Sequence, residues 1–306
     1  MSDTLRIGII GFDTSHVPAF TRLVNDPNDP FHVPGGRVVA GHPSFSPDLE
    51  ASRSRVKGFI ADVAEPYGVE MVDSVEALVD RVDAVLLESV DGRRHLAEIR
   101  PVLAARKPVY VDKPLAASYA EAAEIARLAA EHGCPIFSSS SLRFDANVSA
   151  VKEDPELGTI MTCDAFSPAR LDPTNPGLFW YGIHGVEILY TFMGTGCKSV
   201  RVHASDDYDV VIGRWPGGRL ATMRGLRTGN LGYGATVFAE NKVAQVQYSK
   251  EVPIYAQLLQ EIMPFFQGGP APVPMDETLE LMAFIQAAIV SEREDREVAL
   301  GEVRGE

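Results

Sequence analysis

Two short motifs carry most of the chemistry that residue types and spacing announce in this 306-residue chain. The first is LRIGIIGFDTSHVPAF at the start. Leu5 to Ile10 reads as a buried strand and Val17 to Val24 as the helix after it, so the turn between them should carry G-x-G-x-x-G. Gly11 takes the first position, but Asp13 stands at the second and His16 at the third. The second glycine lets backbone approach a pyrophosphate, and the third lets the helix pack on the strand. A carboxylate there puts a side chain and a negative charge where phosphate would lie. Asp13 is expected to cap the free N–H groups of the helix, an interaction worth about 0.5–2 kcal/mol. The alternative points Asp13, Ser15 and His16 into the cleft to touch ligand. The second motif, VYVDKPL, sets Lys113 directly after a strand. Beside a nicotinamide such a lysine could orient or deprotonate a substrate hydroxyl, provided its reference pKa of about 10.4 fell. Otherwise it is one solvated loop lysine among many.

The elements that must position these residues alternate strand and helix up to about residue 141. Strands are expected at Leu5–Ile10, Arg37–Gly41, Val69–Val72, Val82–Leu87, Pro108–Val111 and Pro135–Ser138. Helices fall between them at Val17–Val24, Arg53–Tyr67, Val75–Arg81, Arg94–Ala105 and Tyr119–His132, with a long loop, HPSFSPDLE, after the second strand. This order specifies a doubly wound parallel sheet, whose ligands bind at the carboxyl ends of the strands. Beyond Arg143 the pattern changes. A helix at Asn147–Glu153, a strand at Thr159–Ser167 and a helical stretch at Leu178–Phe192 precede four or five strands between Ser199 and Ser249. Their WPGG and AEN turns are hairpin-like, so this second sheet should be largely antiparallel. Helices at Ile254–Gln267 and Asp276–Glu294 close the chain. The expected division is residues 1–141 and 142–306.

Composition excludes several classes. Hydrophobic content of 45% and charged content of 23% are those of an ordinary globular protein. A net charge of -14, with only the mixed basic patch Arg53-Ser54-Arg55-Val56-Lys57, argues against nucleic acid or an anionic membrane as partner. Cys134, Cys163 and Cys197 form no CxxC, and the histidines match no metal motif by spacing, so neither a disulfide framework nor a metal is expected. A strand starting near residue 5 leaves no room for a signal peptide, and the cytoplasm is the expected compartment.

The broken glycine loop, DKP after a strand, SLRF after the last parallel strand and a helix carrying GIH together resemble the glucose–fructose oxidoreductase/inositol dehydrogenase (Gfo/Idh/MocA) family. The resemblance runs to the closing GGPAPVPMDETLELMAFIQAAI. It implies a Rossmann domain with a C-terminal α/β domain whose open sheet supports a homo-dimer or homo-tetramer. It also implies hydride transfer between NAD or NADP and a sugar, polyol or derivative. The family's E-K-P becomes Asp112-Lys113-Pro114, and its D-x-G-x-H becomes Trp180-Tyr181-Gly182-Ile183-His184, with Trp180 in place of the acid. On that basis Lys113 and His184 are the expected catalytic pair. Trp180 is a sugar-stacking wall or core. Arg143 lies close to nicotinamide and substrate, or is salt-bridged between domains. His16 and Tyr181 join Arg143 and Trp180 as expected substrate contacts.

Gly11, Phe12, Asp13, Thr14, Ser15, His42, Glu88, Ser89 and Asp112 are the expected cofactor contacts. Within them the departures share a direction. The second strand ends Ala40-Gly41-His42 with no ribose-binding acid, and Glu88 adds a carboxylate to the loop after the central strand. These changes keep a second outcome open: a non-redox member, ligand-binding protein or lyase, with weakened or lost dinucleotide binding. Ser138–Ser141 is expected to be a solvated run rather than a nucleophile.

Overall fold

A computed structural model describes residues 4–306. In the first unit, strand and helix alternate: β1 (Leu5–Ile10), α1 (His16–Asn25), β2 (Gly36–His42), α2 (Glu50–Arg53), α3 (Val56–Tyr67), β3 (Glu70–Met71), α4 (Val75–Val79), β4 (Ala84–Leu87), α5 (Gly92–Ala104), β5 (Val109–Asp112), α6 (Tyr119–His132) and β6 (Ile136–Ser139). The six strands are all parallel, in the order β3-β2-β1-β4-β5-β6. That is the dinucleotide-fold order, with its switch point between β1 and β4. Every residue of β4 is buried, as a central strand covered on both faces requires.

The second unit begins with α7 (Ala146–Lys152), β7 (Ile160–Pro168), α8 (Ile183–Met193), β8 (Ser199–Ala204), β9 (Tyr208–Arg214), β10 (Leu220–Leu226), β11 (Gly234–Ala239) and β12 (Val243–Gln247). After α9 (Ile254–Phe266) come α10 (Met275–Glu294), β13 (Val298–Ala299) and α11 (Leu300–Arg304). The seven strands run β12-β11-β7-β10-β9-β8-β13. Only the β7–β10 pair is parallel; the other neighbours are antiparallel, and the WPGG and AEN segments do join β9 to β10 and β11 to β12. One face of the sheet is covered by α8, where Gly185 lies so close that an added Cβ would stand 2.8 Å from Ser167 Oγ.

The structure differs from the linear reading in several places, the added β13 and α11 after the last expected helix among them. Residues 252–275, and with them α9, belong to the first unit, while 117–119, 140–251 and 276–306 form the second. The apolar face of α9 finds its cover there: Phe265 meets Phe137 edge-on at 4.9 Å, and Tyr255 meets Phe20 of α1 at 5.6 Å. The loop after β2 contains a helical turn, α2. The stretch expected as one helix from Leu178 breaks into a 3-10 turn at Gly177–Phe179 and α8, which Gly182 begins as N-cap. Trp180 and Tyr181 therefore lie ahead of the helix that carries His184.

Candidate functional site

Gly11 is held at φ +85°, and a Cβ there would lie 2.3 Å from the Ser89 backbone nitrogen. The turn after β1 can press against the loop after β4 only with glycine at this point. Phe12 is fully buried, its ring lying where a Cβ on Gly41 would come within 2.2 Å of it. The lost ribose acid and the phenyl ring are thus one packing solution: the ring covers the end of β2.

Asp13 does not cap α1. Its buried carboxylate accepts from the Ser52 hydroxyl at 2.6 Å and from Val90 N–H at 2.9 Å, and the helix N-cap, Ser15, makes no side-chain capping bond. Burial raises the Asp13 carboxyl above its ordinary range against those two bonds. Further bonds bridge the loops after β2 and β4: Ser44 Oγ to Ser89 Oγ at 3.3 Å, and Ser46 Oγ donating to Asp91 at 2.6 Å. His42 is tied to the Val72 carbonyl at 3.1 Å. Thr14 Oγ1 faces the His16 N–H at 3.4 Å.

At the ends of β1, β4 and β5 three charged groups converge. His16 Nδ1 lies 3.0 Å from a Glu88 oxygen and 3.2 Å from an Asp112 oxygen. The imidazole stacks on Phe20 and meets Tyr255 edge-on at 4.6 Å. Burial pushes Glu88 up to about 7, although His16 opposes the shift. Burial pulls His16 down, but Asp112, Tyr255 and Glu88 outweigh it and leave its pKa raised well above the usual histidine value. The Tyr110 hydroxyl reaches Asp112 Oδ1 at 3.3 Å. Lys113 follows at once and is buried, so it is not a solvated loop lysine.

The second unit places His184 differently. Its Nδ1 lies 2.7 Å from Ser140 Oγ, and its ring stands edge-on to Tyr181 at 5.1 Å and Tyr233 at 5.6 Å. Tyr233 also lines a cavity of about 390 Å³, with Phe166, Gln247, Tyr248 and Lys250 among its other walls. Trp180 and Tyr181 are half-buried. Arg143 is buried and ion-paired at 2.7 Å with both Glu187 of α8 and Glu277. Its guanidinium is thus committed to carboxylates of its own unit rather than bridging domains.

Ser138–Ser141 is buried, not solvated, and Ser140 supplies the partner of His184. That partnership, the Tyr233 and Tyr248 walls, and the joining of His16 to Glu88 and Asp112 were all missed by the sequence reading. The serine run was visible; nothing local marked the tyrosines.

Parallel strands in dinucleotide order, polar strand-end loops and a second unit built on an open mixed sheet define the class: a two-unit α/β protein of dehydrogenase architecture. Residues 5–140 match the model of the Gfo/Idh/MocA oxidoreductase family, described as an NAD-binding Rossmann fold. Inositol 2-dehydrogenase 2 of Mycolicibacterium vanbaalenii is 33% identical over 207 residues, which are 65% of this chain and 54% of that protein. Inositol 2-dehydrogenase of Cereibacter sphaeroides is 29% identical over 58% of this chain and 48% of its own length. The chain thus spans about half the length of the curated relatives it matches. Scyllo-inositol dehydrogenase from Lactobacillus casei, solved with NAD(H) and scyllo-inositol, shares the fold at a TM-score of 0.78 and 15% identity, over 98% of this chain and 100% of that one.

The family's dinucleotide meets a crevice with few free donors. At the start of α1 the His16 and Val17 N–H groups face Thr14 Oγ1 and the Thr14 carbonyl at 3.4 and 3.3 Å, and Pro18 has no N–H. The adenosine end does not fit: Phe12 covers Gly41, and the Asp13–Ser52, Ser44–Ser89 and Ser46–Asp91 contacts close the space between the loops after β2 and β4 with buried side chains. Among the described residues no helix is long and apolar enough to cross a membrane.

Proposed function

We propose that the chain is an enzyme of the family's oxidoreductase class, acting on a small polyhydroxylated substrate: a sugar, an inositol-like polyol or a derivative. The observation that carries this reading is His184, held by Ser140 and set among phenol rings beside a cavity of matching character. An imidazole with a pinned Nδ1 has a fixed orientation and can exchange a proton with a substrate hydroxyl near neutral pH. Tyrosine faces suit the apolar side of a polyol ring, and their hydroxyls suit its oxygens. Arg143 steadies the helix bearing His184 through Glu187. In the other unit Lys113, buried at the end of β5, is assigned to orient or deprotonate substrate. The names of the relatives, inositol 2-dehydrogenases, support the substrate class. The same reading takes the protein to be cytoplasmic and homo-oligomeric, pairing through the open face of the second sheet, where Leu220 and Val243 are 45% and 59% exposed.

The closed adenosine crevice favours a second reading: the same substrate class, handled by acid–base chemistry or simple binding without a dissociable dinucleotide. Fluorescence titration with NADH and NADPH separates the two. Binding of either at micromolar to millimolar concentration is expected for the redox enzyme. No binding of either at millimolar concentration overturns that reading and leaves the second.

A further inference from the structure

The strand-end cluster of the first unit has no part in the acid–base chemistry assigned above, although Glu88 and Asp112 are expected cofactor contacts and His16 an expected substrate contact. Its three donors lie on different elements: His16 opens α1, Glu88 follows β4 and Asp112 ends β5. Their ligand atoms lie within 4.8 Å of one another, and Nδ1 stands 3.0 and 3.2 Å from the two carboxylate oxygens. One N–H cannot serve two acceptors well at once. Ligand atoms at about 2.0–2.2 Å from one metal ion, however, are spaced about 3–3.5 Å apart by simple geometry. Charge permits the same arrangement: a dication with a neutral imidazole balances the two buried carboxylates.

Two further buried oxygens lack a partner: Glu88 Oε1 and Ser139 Oγ. Ser139 pairs with Asp112 in the parallel register, so both side chains stand on one face of the sheet. The surrounding protein gives neither oxygen a hydrogen bond, and Glu88 Oε1 belongs to the cluster itself. The Tyr110 hydroxyl donates to the Ser139 carbonyl at 2.9 Å and lies 3.3 Å from the other Asp112 oxygen, so it braces β5 against β6 beside the cluster. The His16 side chain keeps 11% exposure, which gives a path from solvent.

We propose that His16 Nδ1, a Glu88 oxygen and an Asp112 oxygen bind one divalent transition-metal ion. One imidazole with two carboxylates suits Mn²⁺ or Zn²⁺ better than the all-oxygen preference of Mg²⁺ or Ca²⁺. Three protein ligands leave coordination positions for water or a hydroxyl oxygen of a small ligand. The proposal stands apart from the dinucleotide question, because its test reads metal rather than turnover.

The test is calorimetric titration of chelator-treated full-length protein with Mn²⁺ and, separately, Zn²⁺, alongside the electron paramagnetic resonance spectrum of Mn²⁺. One ion per chain at micromolar Kd is expected, together with a rise in Tm. Glu88→Gln and Asp112→Asn, which keep shape and remove charge, should weaken binding at least 100-fold. His203→Gln, at an exposed position of β8 in the second unit, should leave it unchanged. Absence of saturable binding of both ions to the wild-type protein below 1 mM overturns the site, and the cluster is then held by protons alone. Binding that survives both carboxylate variants, confirmed as folded by circular dichroism, overturns it as well.

Discussion

His16 and His184 are the two histidines that the sequence brings closest to chemistry, and the structure gives them opposite surroundings. His16 is buried between two carboxylates and stacked on a phenylalanine. His184 is half-buried, its Nδ1 held by the neutral hydroxyl of Ser140, with phenol rings edge-on around it. A carboxylate pair stabilises imidazolium and moves the titration away from neutrality, whereas a hydroxyl orients the ring without charging it. The first environment suits holding a cation or a proton; the second suits exchanging one. Residue type does not separate these roles. Neighbours do.

The largest test of that contrast is His184→Ala. Loss of a general acid–base group should lower kcat/KM for a polyol substrate about 10²–10⁴-fold. Tm should move by no more than a few degrees, since the ring is half-buried and its losses include one hydrogen bond to Ser140 and aromatic edges. A variant with wild-type kcat/KM, or one that fails to fold, would remove the distinction between an exchanging and a structural histidine.

A smaller effect concerns pH and Glu88 in metal-free protein. Its folded pKa, about 7, lies above the unfolded value near 4.5. The folded state therefore binds more protons between those values, and stability is greatest below about 4.5 and falls as pH rises to about 7. Glu88→Gln should abolish that part of the fall, on the order of 3 kcal/mol at 1.36 kcal/mol per unit. His16, also raised, should continue to lose its contribution at higher pH, as its folded value is passed. Urea unfolding at pH 5, 7 and 8.5 would show it; identical slopes for both proteins would mean that Glu88 stays ionised throughout.

Much of the fold was legible because buried parallel strands such as Ala84–Leu87 are continuous apolar runs and hairpin turns have recognisable residues. The placement of α9 was not. An amphipathic helix announces that it has a buried face, but not which sheet will cover it. The site divides in the same way. Lys113 and His184 stand in local motifs, so the sequence alone could single them out as candidates. Asp13, Glu88 and His16 were each visible as departures, yet His16 and Glu88 are 72 residues apart and meet only because β1 and β4 are neighbours. Asp13 shows the cost of local reasoning. Its position before α1 promised a cap, while its actual partners came from the loops after β2 and β4.

The finest distinction lies in Ser140. A net hydrogen bond is worth about 0.5–1.5 kcal/mol, so Ser140→Ala should lower kcat/KM about 3–10-fold through misorientation of His184. Ser140 Oγ also accepts from Leu142 N–H at 3.2 Å, so some loss of stability is expected whatever its role in catalysis. Two readouts separate the effects. Ser140→Thr restores the hydroxyl and should recover most of the rate. The limb of the kcat/KM–pH profile that reports His184 should also shift in the alanine variant, because the group that orients its Nδ1 has gone. A stability loss with an unmoved profile and no rescue by threonine would make Ser140 a cap of the 3-10 turn at Ser141–Phe144 and nothing more. His184 would then owe its orientation to Tyr181 and Tyr233 rather than to a polar partner, which is the one respect in which it would come to resemble His16 between Phe20 and Tyr255.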